Sequence, residues 1–228
     1  MSAIRAFARP QSVDNDLAVT QRRLLRFNRR RLRPSLTTDD WDQALRSDLQ
    51  LSLLEGQFIE GERRALQPML VNVPSDTEGF MRWFQGLLDS GPGQYDPLFE
   101  WLATRASLPA MRWFLQQEVA GEAGFDDLVA LTQLRMPARP KLEMARNYWD
   151  ELGRGRAVRM HGPMLERVAV ELQLDGDADD IVWESLALAN LMQGLAANRR
   201  YAYQSVGALG AVELTAPSRV SRVAEGLQ

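Results

Sequence analysis

"SLPAMRWFLQQEVAGEAGFDDLVALTQ" runs from residue 107 to residue 133, and its reading decides the fold class. At about 100° per residue, Leu108, Met111, Phe114, Leu115, Phe125 and Val129 fall on one stripe, so the periodicity predicts a helix over about 108–134. Glu118 and Glu122 lie in the middle of that stripe. A carboxylate facing a core is costly unless an arginine, a hydrogen-bond donor or a metal ion stands beside it. A wet seam between helices, neutralisation by arginines, and a metal or catalytic site each account for two inward acids.

The same period recurs on both sides of this segment. "SLTTDDWDQALRSDLQLSLLEGQF" (35–58) opens with capping residue types and carries Trp41, Leu45, Leu49, Leu53 and Leu54 at helical spacing. "DTEGFMRWFQGLLDSGPG" (76–93) ends in a Gly-Pro-Gly stop, and "YDPLFEWLATRAS" (95–107) offers Asp96 as N-cap with Pro97 at the first helical position. Further helices are expected at about 139–152, 163–173, 178–204 and 206–214. No alternating run of β-branched residues bounded by turn signals appears, so no strand is expected. The fold class is therefore all-α, a helical bundle. Residues 1–34 read as a flexible N-terminus with a basic arm or helix, and 35–228 as a single helical domain.

Composition narrows the function classes. With 45% hydrophobic and 25% charged residues, the 228-residue chain has apolar mass enough for a sizeable core. Zero cysteines exclude disulfides, thiolate metal sites and cysteine nucleophiles. No apolar run is long enough to span a bilayer, and "MSAIRAFARPQSVDNDL" lacks the apolar core of a secretory signal, so no membrane partner and a cytoplasmic location are expected. A net charge of −3 argues against nucleic acid as a general partner. The arginine-rich "QRRLLRFNRRRLRP" (21–34) is the exception. It reads as an amphipathic helix docking through Leu24, Leu25, Phe27 and Leu32, with contact to an anionic partner as the other reading. The six Trp and nine Met residues are expected mostly in the core. "DGDADD" (175–180) lacks the spacing of a calcium loop and reads as a solvated cap for the next helix.

Two further segments bring acids inward. "KLEMARNYWDELGRG" (141–155) is apolar nearly all round, which places Glu151 on a central helix. In "QSVGALGAVELTAP" (204–217), Val206, Leu209, Gly210 and Glu213 share a face. His161, the only histidine, follows Glu151 by ten positions. Inward glutamates on several helices plus an imidazole are the ingredients of a non-haem iron or manganese site in a bundle. The Glu-x-x-His pair of ferritin-like sites is absent, because position 158 is Val.

"EWLATRASLPAMRWFLQQEVAGEAGFDDLVALTQ" (100–133), "ARNYWDELGRGRAVRMHGPML" (145–165) and "NRRYAYQSVGALGAVELTAPSR" (198–219) resemble the iron-containing redox enzyme family of the haem-oxygenase-like diiron oxidase superfamily. The resemblance implies an all-helical haem oxygenase/thiaminase-like bundle, non-haem iron (up to two ions, with manganese as the other candidate), and dioxygen and a small molecule as substrates. The implied reaction oxidises a fatty-acid-like or amino-acid-like metabolite. By that resemblance Glu151 and His161 are the first metal ligands and Glu213 the next. Glu122 is the match for a further carboxylate, with Glu118 one turn earlier as the alternative. Superfamily members draw their remaining ligands from a C-terminal His-x3-Asp-x2-His helix. No histidine follows His161, which implies a domain incomplete at its C-terminus or a lost second iron. The reading from a different class is a catalytically inactive helical scaffold or interaction protein that keeps the family core. A second copy of the chain, as a homodimer, is a candidate partner. Arg199 or Arg200, near Glu213, is a candidate to hold a substrate carboxylate.

Overall fold

The computed structural model describes residues 11–34, 40–91, 93–122, 124–174 and 180–228, with side chains from residue 15. The capping residues expected at 35–39, Pro92 of the Gly-Pro-Gly stop and most of the 175–180 loop lie outside these residues. Among the described residues the secondary structure is helical with no strand. In chain order the helices are α1 (Gln11–Leu32), α2 (Trp41–Leu66), α3 (Thr77–Gln85), α4 (Leu87–Ser90), α5 (Pro97–Thr104), α6 (Leu108–Gly121), α7 (Phe125–Thr132), α8 (Ala138–Glu151), α9 (His161–Glu171), α10 (Trp183–Ala197) and α11 (Ala202–Gly226). None of them is long and apolar enough to cross a membrane.

α10 is the central post, touching α1, α2, α6, α7 and α11. Its small and amide residues explain how so many neighbours fit. Gly194 is one such place: a Cβ there would stand 2.8 Å from Ile59 Cδ1 and 3.0 Å from Glu55 Oε1, so α2 approaches as closely as a bare backbone allows. Asn190, fully buried, donates through Nδ2 to the carbonyl and side-chain oxygens of Gln21 and accepts from Asn28 Nδ2 at 2.9 Å. These amide bonds fix the register of α1 on α10.

The arginine-rich segment docks on the body. Leu24, Leu25 and Phe27 are buried, Leu32 is half-buried, and Arg31 grips the buried Glu55 of α2 with two hydrogen bonds of 3.0 and 2.7 Å. Arg30 pairs with Asp48. Elsewhere, Leu128, Val129, Met192, Ala196 and Leu209 form one apolar cluster among α7, α10 and α11, while Leu102, Met111 and Val223 join α5, α6 and α11 in another. α5 starts as expected: Asp96 accepts from the Leu98 amide and Pro97 occupies the first turn.

Three expectations are corrected. The single helix over 108–134 is two helices, because the chain breaks after Gly121 and turns through Gly124 at φ 72° before α7 begins. The last helix does not end near 214. It continues through Pro217 to Gly226, and Gln94 Nε2 donates to the Thr215 carbonyl just before the proline. Nor do the large side chains all enter the core: Trp41, Trp83, Trp113 and Trp149 are exposed, as are Met69, Met81 and Met164.

Candidate metal centre

The joint between α8 and α9 brings together two of the site residues expected from the sequence, Glu151 and His161. α8 ends at Glu151, and after Leu152 three consecutive residues, Gly153, Arg154 and Gly155, have left-handed φ values (61°, 55° and 78°). Both glycines are sterically required. A Cβ on Gly153 would stand 2.5 Å from the Arg159 carbonyl carbon, and one on Gly155 would stand 2.9 Å from Trp149 Cη2. The chain therefore doubles back tightly, and α9 begins at His161 beside the residue that ended α8. Arg167 Nη2 donates to the Val158 carbonyl at 3.0 Å and ties α9 to this turn.

The turn brings His161 Nδ1 to 2.5 Å from Glu151 Oε2. Glu151 is 3% exposed, whereas the imidazole is 57% exposed and forms the outer wall. Although the two atoms touch, they are not aligned as a hydrogen bond, and Glu151 Oε2 has no hydrogen-bond partner among the described residues. Burial pushes the Glu151 carboxyl above its usual range. His161 opposes the shift, and the fields of Glu213, Asp126 and Glu122 add to it. One buried carboxyl thus senses an imidazole and three further acids.

The other predicted residues arrive with different surroundings. Glu213 of α11 is exposed, and its Oε1 accepts from Asn147 Nδ2 at 3.2 Å. Asn147 lies one turn before Glu151 on α8, so it bridges the two glutamate-bearing helices. Pro217 has no N–H for the carbonyl of Glu213 four residues earlier, which opens α11 locally. Glu122, half-buried, spends both oxygens on the first turn of α7, accepting from the Gly124 amide at 2.9 Å and the Phe125 amide at 3.1 Å. Glu118 stands apart from the group. More than a third of it is solvent-accessible, yet neighbouring atoms crowd its carboxyl upward against the pull of Arg219; with that access to water it is no core acid. Arg199 is not free for a substrate, because it donates to the carbonyls of Leu131, Thr132 and Leu134 at the end of α7.

Asp126 and Asn147 were not singled out from the sequence. Spacing held the signal for Asn147, four residues before Glu151 on the same helical face. Asp126 had no such signal, since its place beside the joint depends on the break that separates α7 from α6.

In kind, these donors suit iron: hard carboxylates, one imidazole and a buried oxygen with no hydrogen bond. Their spacing is closed. Among the described residues no group of three or more His, Asp or Glu side chains stands ready to hold an ion. Ligands on adjacent positions of one ion sit about 3 Å apart, so Glu151 and His161 must part slightly to admit it.

The class these features define is an all-α bundle in which a buried carboxylate meets an imidazole at a helix joint. More narrowly, a family model described as iron-containing redox enzyme matches residues 112–228, more than half of the chain, and the chain belongs to that family. Its fold is the family's haem-oxygenase-like, all-α one. Iron and oxidoreductase chemistry come with that membership. No curated protein and no solved structure matches the chain.

Proposed function

We propose that the protein is a non-haem iron oxidoreductase that uses dioxygen to oxidise a small, fatty-acid-like or amino-acid-like metabolite in the cytoplasm. Glu151 and His161 form the nucleus of its iron site, with Glu213 and Glu122 as further carboxylates. The observation that carries this reading is Glu151 Oε2, buried, without a hydrogen bond and pressed against His161 Nδ1. A structural carboxylate would be expected to own a donor. When bound, iron would activate dioxygen to accept the electrons that the substrate gives up, and would return to the ferrous state at the end of the cycle.

The chain's own residues do the rest. Glu151, Asp126, Glu122 and Glu213 create a negative field that draws a cation to the joint and offsets their mutual repulsion once it arrives. Asn147 holds Glu213 by one oxygen and leaves the other available. The left-handed Gly153–Gly155 turn fixes His161 opposite Glu151, so the imidazole is placed by backbone geometry and not by a flexible loop. More than half of the imidazole faces solvent, which gives a small substrate an open approach.

A second reading, an inactive scaffold that keeps the family core, draws on one specific observation: Glu122 already serves as a helix cap, and among the described residues no third ligand stands with Glu151 and His161. Anaerobic Fe²⁺ titration followed by dioxygen uptake separates the two. The enzyme reading predicts iron binding that is lost in Glu151→Ala and in His161→Ala, with iron-dependent dioxygen consumption. The scaffold reading predicts neither. Manganese in place of Fe²⁺ should bind at the same residues and leave dioxygen consumption at background.

A further inference from the structure

α2 carries a feature that the iron site does not use. Trp41, Leu45, Leu49 and Leu53 recur every fourth residue along one ridge, and they are 66%, 59%, 63% and 61% exposed. The helix end that bears them overhangs the body: every residue from Asp40 to Arg46 is exposed. An isolated helical end of this length is marginal in water without tertiary contacts. A tryptophan and three leucines on it need a cover that the chain itself does not provide among its described residues.

We propose that this ridge docks on the same ridge of a second copy of the chain, making a two-fold symmetric dimer through α2. The area argues for it. The four side chains leave about 500 Å² of apolar surface open, at the top of the range found on monomers. Doubling that across a two-fold axis gives about 1,000 Å², and flanking groups carry the total into the range of specific interfaces. Charge argues for a copy of itself over other occupants. Arg46, beside the ridge, is paired with Asp42 of the same helix at 2.9 Å, and Asp48 on the other flank is held by Arg30. Two copies therefore meet with Arg46 and Asp48 already paired, whereas a helix lying on an anionic membrane presents unpaired arginines or lysines along its own flanks. Ridges of i±4n spacing can interdigitate with one another at a crossing angle of about 50°. The surface is independent of the iron reading, so either can fail without the other.

Light scattering on the full chain, at concentrations reaching about 100 μM, reads the mass directly. Twice the 25.8 kDa chain mass is expected for the wild type. One chain mass, with unchanged helical circular dichroism, is expected for Leu45→Glu/Leu49→Glu. Because the chain has no cysteine, Leu49→Cys can be joined by a short bismaleimide, and that arm decides the matter if the double variant fails to fold. Leu49→Cys should cross-link to a dimer and the exposed control Val170→Cys should not. A wild type that stays monomeric throughout overturns the proposal. So does a dimer that survives the double glutamate substitution, equal cross-linking at position 170, or a monomer that instead co-sediments with phosphatidylglycerol vesicles through α2.

Discussion

At the joint between α8 and α9 a carboxylate oxygen is buried without a hydrogen bond, whereas along α2 four large apolar side chains stand in water. Both regions break the burial rule, in opposite senses. Neither kind of breach is confined to these places, since Asn28 Oδ1 and Arg112 Nε are also buried without a hydrogen bond and Val71 and Met69 are also exposed, but two buried networks are well paired. On α10 the buried Asn190 is bonded to α1 at both ends of its amide, and the buried Glu55 has Arg31 on both oxygens. The proposed iron site and the proposed dimer ridge each sit at such a breach, one calling for a cation and the other for apolar surface.

The comparison can be broken most severely at Glu55. Glu55→Ala should destabilise the fold by about 3–5 kcal/mol, because Arg31 would be left buried and uncompensated. Glu151→Ala in the metal-free protein should cost much less, since the partner it leaves, His161, is more than half exposed to water; urea denaturation of both variants checks the pair. Leu24→Ala should cost about 2–5 kcal/mol as a cavity in a fully buried site. Leu49→Ala, at a concentration where copies are dissociated, should stay within about 0.5 kcal/mol of the wild type. Equal losses at Leu24 and Leu49 would mean that the ridge is covered by the chain itself.

Gly153→Ala sharpens the account of the joint. A φ of 61° and a clash with the Arg159 carbonyl carbon should cost about 1–3 kcal/mol and move His161 away from Glu151. Thermal denaturation and bound iron should therefore fall together. The smallest effect is expected at Glu118. Its carboxyl titrates above the ordinary value near 4.5, so its contribution is fully present below that pH and is lost as pH rises through the raised value. Glu118→Gln should flatten this fall in stability with pH. The change should be slight, because the residue is open to solvent. Melting temperatures measured from pH 4 to pH 8, a range about four units wide, read the slope.

The sequence made the helical class plain through its 3.6-residue period, but its reading of 141–155 as an apolar, central helix is corrected: α8 packs mainly on α7, Leu142 and Trp149 are exposed, and Glu151 is its one buried residue. Other features depended on competition that periodicity does not register. Trp41, Leu45, Leu49 and Leu53 have the spacing of a core face, but burial is decided by what arrives to cover them, and no helix does. The stripe through 107–133 was interrupted because Gly124 adopts a left-handed φ, and Glu122 then found the α7 amides within reach. A proline usually ends a helix, so the run of α11 past Pro217 was hidden as well. His161 lay within sight of Glu151 only through the family resemblance; the physical reason, three consecutive left-handed residues, emerges from the backbone.

The most direct test of the central claim is anaerobic Fe²⁺ titration of four forms of the full chain: wild type, Glu151→Ala, His161→Ala and Glu118→Ala. The account predicts saturable binding in the wild type, retained in Glu118→Ala and weakened at least tenfold in the other two, about 1.4 kcal/mol or more of binding free energy. Binding that survives both Glu151→Ala and His161→Ala, or that is lost with Glu118→Ala instead, would contradict it.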